Sequence, residues 1–146
     1  MKFDRETSAG YLVNHMARLF ARQLERRIKP HGIALGAFPA LLYLWEKDGL
    51  TQKELVDRLD IEQPTMAATL SRMERDGLIT RRRGEGDARV QYVHLTDRAR
   101  QLRDIALGEA VAVNELALAD LDETERQQFL DLTSKVLATL SALEEE

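Results

Sequence analysis

Arginine side chains are concentrated in one part of this sequence. Between positions 72 and 100 there are eight arginines, at 72, 75, 81, 82, 83, 89, 98 and 100, against five acidic residues. This segment has a formal charge of +3, whereas the whole chain of 146 residues carries −4 and the remainder therefore −7. Guanidinium groups bind phosphate oxygens, and a basic segment in an acidic protein is typical of nucleic-acid binding. On charge alone, a solvated arginine-rich surface is an equal alternative.

A second set of candidate contact residues belongs to a helix that is predicted to begin at Gln63-Pro64 and to end before Gly77. Met66, Leu70 and Met73 have the i, i+4, i+7 spacing of a buried helix face. Small hydrogen-bonding side chains on the other face would let this helix approach the DNA major groove closely. That outward face is predicted to consist of Thr65, Ala68, Thr69 and Arg72.

Catalytic and metal-binding chemistry is not indicated by the sequence. An enzyme would need a nucleophile with a base, a carboxylate pair or a metal cluster. The three histidines, His15, His31 and His94, are far apart and lack ligand spacing, and the chain has no cysteine. We therefore predict no enzymatic activity, no metal and no cofactor.

The composition is that of a single globular domain. The chain is 44% hydrophobic and 32% charged, which is more apolar than disordered proteins are. No segment resembles a signal peptide or approaches the roughly 20 apolar residues of a membrane span. We predict a cytoplasmic protein with no membrane contact.

Four helices are predicted in the first half of the chain. Apolar residues recur at three- and four-residue steps from Ser8 to Lys29, which indicates a helix with one buried stripe. A second helix begins at Phe38, with Pro39 in its first turn. Thr51 and Glu54 have the spacing of a capping box, which predicts a third helix as far as Leu59. The Gln63-Pro64 helix is the fourth.

A hairpin and two helices are predicted in the second half. Residues 78–83 and 90–95 are β-prone, and the glycine-rich segment between them favours a turn. Thr96-Asp97 caps a long helix, and Asp122 with Glu125 caps the last one. Three helices followed by a hairpin define the winged helix-turn-helix, so the predicted fold is mainly α (α+β).

Several short segments resemble one known family of regulators. Residues 50–55, 77–81, 87–89 and 95–96 are similar to the corresponding motifs of the MarR family. Residues 28–30 and 61–65 resemble its SlyA branch in particular. The similarity extends over nearly the whole chain, and its most specific element is Asp87-Ala88-Arg89 followed by Leu95-Thr96.

The resemblance implies a homodimer that binds double-stranded DNA as a transcriptional regulator, with repression of its genes as the expected outcome. Residues 1–146 would form a single MarR-type domain, in which residues 35–97 are the DNA-binding lobe. Residues 1–34 and 98–146 would form a helical dimerisation lobe. The two protomers would straddle a pseudo-palindromic operator. A winged-helix module that binds protein instead of DNA is the alternative.

The resemblance also implies which residues contact DNA. The wing arginine, Arg89, would enter the minor groove while Asp87 holds it in place. One or two arginines of the preceding strand, Arg81 and Arg83 among them, would contact phosphates. Many relatives have an arginine where this chain has Ala68, so contact with a thymine methyl could replace a base contact. The recognition helix would contribute Gln63, Pro64, Thr65, Ala68, Thr69 and Arg72.

A small aromatic acid is the effector that the resemblance implies. His15 and Arg18 would pair with its carboxylate, and Phe38 would stack on its ring. Exposed positions near a dimer interface are the alternative for His15 and Arg18, and a core position is the alternative for Phe38. Because the chain lacks cysteine, sensing by thiol chemistry is excluded.

Overall fold

The computed structural model describes residues 1–145. This part of the chain contains six α-helices, a three-stranded sheet and short 3-10 turns. None of its helices is both long enough and apolar enough to cross a membrane. The helices are Ala9–Ile28 (α1), Phe38–Glu46 (α2), Gln52–Leu59 (α3), Gln63–Arg75 (α4), Asp97–Ala117 (α5) and Glu123–Glu144 (α6). The strands are Leu50–Thr51 (β1), Ile79–Arg83 (β2) and Gln91–Leu95 (β3).

The helix boundaries follow the capping residues. Thr51 and Asp122 each form a complete capping box, with Glu54 and Glu125 respectively. Ser8 caps α1 by accepting the Tyr11 N–H at 3.2 Å. The two capping boxes are predictions that are confirmed, and in all three helices the capping side chain satisfies a backbone N–H that the first turn leaves free.

The sheet has the order β1-β3-β2 and is antiparallel throughout. The predicted hairpin is confirmed, and residues 79–95 are called the wing below. β1 was not predicted, since two residues show no strand periodicity. Leu50 pairs with Val93, so the wing is joined to the start of α3.

The hydrophobic core lies under the helix-turn-helix formed by α3 and α4. Met66, Leu70 and Met73 are fully buried, as their spacing predicts. Trp45 donates its Nε1–H to the Ala99 carbonyl at 3.0 Å, so its polar atom is satisfied. The core also contains Ile28, Leu41, Leu44, Leu55, Leu78, Ile79 and Val93.

The apolar stripe of α1 departs from the prediction. Ile28 is fully buried, but Leu12, Met16 and Leu19 are exposed in the single chain. The periodicity is confirmed for the helix and its apolar face, most of which the single chain leaves uncovered. A sequence pattern shows that a face is apolar without showing which surface covers it.

Arg98 holds together two turns from distant parts of the chain. Its guanidinium donates to the carbonyl oxygens of Asp76 (2.6 Å) and His31 (3.3 Å). Gly32 and Gly77 close these turns with φ values of +84° and +75°, a region that favours glycine. A Cβ on Gly32 would overlap the Arg98 guanidinium. Arg98 therefore stabilises the fold and is not part of a free basic surface.

The chain divides into two compact units, with the division inside α5 after Ala110. The first unit contains α1 to α4 and the sheet. In the second unit, the Arg126 guanidinium donates to Glu115 (3.0 Å) and to the Leu118 and Leu121 carbonyls. These bonds fix the turn between the end of α5 and the start of α6.

Candidate nucleic-acid interface

Helix α4 presents an exposed polar face. Gln63 and Pro64 form its first turn, and Pro64 lies where its missing N–H costs nothing. Thr65, Ala68 and Arg72 follow on the exposed side. These five residues are called the α4 face below, and they are accessible to a partner surface as predicted.

Thr69 was wrongly predicted to lie on that face. It is only 8% exposed, because it follows Met66 by three residues and precedes Met73 by four, which puts it beside the buried stripe. Its Oγ1 accepts a hydrogen bond from Arg72 Nη2 at 3.4 Å. Thr69 therefore helps to orient the Arg72 side chain through this hydrogen bond.

Arg89 extends from the wing tip in an ordered geometry. Its Nε and Nη2 donate to the two carboxylate oxygens of Asp87 at 3.1 and 3.2 Å, and its backbone N–H donates to Oδ1 at 3.0 Å. The side-chain hydrogen bond, followed by the backbone one, lowers the pKa of Asp87. The Arg89 side chain is nevertheless 91% exposed. The predicted orientation of Arg89 by Asp87 agrees with this geometry.

Arg81 is tied to α4, whereas Arg83 is open. The Arg81 guanidinium donates to Glu74 (3.2 Å) and Ser71 (3.4 Å), and its backbone N–H donates to Glu74 (3.3 Å). The side-chain hydrogen bond from Arg81 is the main cause of a lowered pKa at Glu74. Arg83, at the end of β2, is exposed. Arg81 thus fixes the wing against the helix, and Arg83 remains available for a phosphate.

Asp48 anchors the base of the wing. Its carboxylate accepts the Leu95 N–H at 2.8 Å and the Arg100 guanidinium at 3.1 Å. Burial raises the pKa of Asp48, but these hydrogen bonds outweigh it and leave the pKa below its usual value. Arg100, like Arg98, is therefore engaged within the protein. The number of arginines in the sequence could not distinguish Arg98 and Arg100, which bond within the protein, from exposed arginines such as Arg83.

A groove of about 650 Å³ lies between the two helices of the helix-turn-helix and the wing. It brings three predicted residues together, Gln63, Arg81 and Arg89. Gln52 and Lys53, in the first turn of α3, were missed, although their place beside the capping box could have indicated them. The full lining is Thr51, Gln52, Lys53, Gln63, Ala67, Arg81, Arg89, Val90 and Gln91.

The predicted effector residues, His15, Arg18 and Phe38, do not line either of the grooves described here. His15 and Arg18 are exposed on α1, where the Tyr11 ring lies 6.2 Å from that of His15. Phe38 is only 6% exposed and packs edge-on against Trp45. Its ring belongs to the core of this chain. A groove of about 440 Å³ near the end of α1 is lined by other residues, Arg22, Glu25, Arg26, Lys29 and Pro30.

Metal ligands are not clustered within residues 1–145, where no group of three or more His, Asp or Glu side chains could hold an ion. His94 lies 4.0 Å from the Asp48 carboxylate. This pair supplies two such groups, which is fewer than the three that a metal site requires.

The chain is similar in sequence and in fold to known transcriptional regulators. A sequence model of the MarR family matches residues 31–90. An uncharacterized HTH-type transcriptional regulator of Bacillus subtilis (strain 168), YwoH, is 31% identical over 82% of this chain and 87% of its own length. The organic hydroperoxide resistance transcriptional regulator of the same organism is 33% identical, over 73% of this chain and 74% of its own. The solved structure of reduced AbfR bound to DNA is 28% identical with a TM-score of 0.74, covering 91% of this chain and 90% of that one.

Proposed function

This chain belongs to the MarR family of transcriptional regulators, and we propose that it acts as a cytoplasmic homodimeric repressor on double-stranded DNA. It is a regulator and not an enzyme, like the proteins it is similar to. Each protomer inserts α4 into the major groove of one half-site, and its wing reaches the neighbouring minor groove. Residues 35–97 form the DNA-binding lobe, and residues 1–34 and 98–146 form the dimerisation lobe.

The exposed, pre-ordered Arg89 beside the α4 face is the observation that carries this proposal. An arginine held by a carboxylate loses little conformational freedom on binding, so its contact with DNA costs less entropy. The α4 face has no acidic side chain, and Arg72 and Arg83 supply further positive charge. A related protein, AbfR, has been solved bound to DNA. These features together favour DNA over a protein partner.

Dimerisation is supported by apolar side chains that each unit leaves exposed. On α1 these include Tyr11, Leu12, Val13 and Leu19. On α6 they are Leu130, Leu132, Val136, Leu137, Leu140 and Leu143. Large exposed apolar surfaces mark interaction sites in proteins that are otherwise well packed. A second copy of the chain that covers them would also link two DNA readers.

The selection of bound sequences from random double-stranded DNA tests the proposal. We expect enrichment of a pseudo-palindrome whose half-sites lie about one helical turn apart. The protein with Arg72→Ala and Arg89→Ala is the control and should enrich sequences poorly. Failure of the parent protein to retain any DNA would contradict the proposal and favour the protein-interaction module.

An aromatic acid that releases the DNA is the second part of the proposal. His15 and Arg18 are exposed on one side of α1 and can pair with a carboxylate. Tyr11, beside His15, can supply the ring contact that the buried Phe38 does not offer in this chain. A ligand that prefers the DNA-incompetent dimer must lower DNA affinity by the same factor by which DNA lowers ligand affinity.

We expect salicylate at high concentration to weaken operator binding, and Arg18→Ala to reduce that response without changing DNA affinity by itself. Titration of labelled operator measures both effects. Arg22→Ala, one turn further along α1, is the matched control and should respond like the parent. An equal response in the Arg18 variant would contradict the assignment of Arg18 to the ligand site.

A further inference from the structure

The side chains of Gln52 and Gln63 are joined by a hydrogen bond that no sequence pattern indicated. Gln52 Nε2 donates to Gln63 Oε1 over 3.2 Å. Gln52 is the first residue of α3 and Gln63 the first residue of α4. Both line the groove, and Gln63 remains exposed. The bond therefore connects the starts of the two helices at the surface that faces a partner.

From this contact we propose that Gln52 sets the amide orientation of Gln63 and thereby the base that Gln63 selects. This inference rests on the proposed binding of DNA through α4. Gln63 is the residue that contacts the base, and Gln52 is a positioning residue that acts through it.

The two ends of a glutamine amide have opposite hydrogen-bonding character. Nε2 carries two donors, and Oε1 has two lone pairs. Because Gln52 occupies one lone pair, Gln63 retains its N–H groups and one lone pair for DNA. This set matches the major-groove edge of adenine, which offers N7 as an acceptor and the N6 amino group as a donor. In the reverse orientation, the NH₂ groups of the two glutamines would face each other.

The surroundings of Gln52 favour the orientation that is observed. The charged side chains lining the groove are Lys53, Arg81 and Arg89, and all of them are basic. A Gln52 carbonyl oxygen turned towards the groove would be stabilised chiefly by Lys53, because Arg81 and Arg89 are already paired with Glu74 and Asp87. The Gln52 NH₂ is then left to donate to Gln63. A joint reversal of both amides would forfeit this electrostatic stabilisation.

The test compares the base preferences of the parent protein with those of a Gln52→Glu variant. A carboxylate only accepts hydrogen bonds, so it would draw the Gln63 NH₂ to itself and turn Oε1 towards the DNA. We expect the preference at one base pair of each half-site to shift from adenine towards cytosine, whose N4 group donates, by roughly five- to a hundredfold. Binding is measured on duplexes in which each operator base pair is varied in turn. An acidic residue in the first turn stabilises a helix, so the variant should fold.

Two further variants make the result specific. Gln63→Met removes the reading side chain and should abolish the preference at that same base pair. Lys53→Gln lowers the net charge by one at the position next to Gln52, the same change in charge that Gln52→Glu makes, and should weaken binding to all sequences equally.

Each contrary result has a distinct meaning. If the parent protein selects an operator and Gln52→Glu keeps its preference at every position, the inference is overturned while DNA binding stands. The same holds if Gln63→Met alters no position. If the parent protein selects no sequence at all, the proposed function fails and the inference fails with it.

Discussion

The double substitution Leu137→Glu and Leu140→Glu is expected to convert the protein into a monomer and to weaken operator binding by at least about a hundredfold. Both side chains are more than half exposed on α6. Two carboxylates there would have to be desolvated if a second copy covered this face, and that cost opposes association. Light scattering gives the oligomeric state, and a titration of labelled operator gives the affinity.

The loss of affinity follows from the linkage between half-sites. A dimer binds its second half-site as an intramolecular step, whereas a monomer must bind each half-site independently. Ala138→Glu with Ala142→Glu is the matched control, because it adds the same two charges at exposed positions on the opposite side of α6. That control should remain dimeric. A dimer that persists in the leucine variant and binds normally would show that this face of α6 is not the interface.

Local sequence signals predicted most of the elements in this fold. The two capping boxes, at Thr51 and Asp122, and the spacing of Met66, Leu70 and Met73 involve residues at most seven positions apart. Such patterns record how a helix begins and which side it buries, so the sequence contains them directly. The wing was predictable for the same reason, since its two strands are separated by a turn-forming segment.

The features that were missed or wrong depend on contacts between distant residues. Arg98 reaches His31 and Asp76 across 67 and 22 positions, and Arg100 reaches Asp48 across 52. No local pattern indicates such pairs. Counting charges therefore overstated the free basic surface.

Helical periodicity has a related limitation at the candidate site. It identified Thr69 as part of the outward face because threonine is polar, but the packing of α4 turns this position towards the core. On α1 it predicted that Leu12 would be buried, and in the single chain that side chain is exposed. In both cases the polar or apolar character of the residue was read correctly. Its burial depends on packing against other parts of the protein, which only the tertiary structure shows.

Arg89→Ala is expected to weaken operator binding by about 1–3 kcal/mol, which corresponds to roughly five- to a hundred-and-fifty-fold. The loss combines the electrostatic attraction of a narrow minor groove with contacts to base edges. Because the side chain is 91% exposed and its hydrogen bonds go to Asp87 in its own turn, the fold should be unaffected, and circular dichroism checks this. Arg82→Ala, also exposed on the wing, is the control and should lose less affinity, since a solvated arginine contributes only long-range attraction. Affinities are compared by titration at about 0.15 M salt, because phosphate contacts weaken as salt rises. An Arg89 variant that bound as tightly as the parent would exclude the wing tip from the DNA interface.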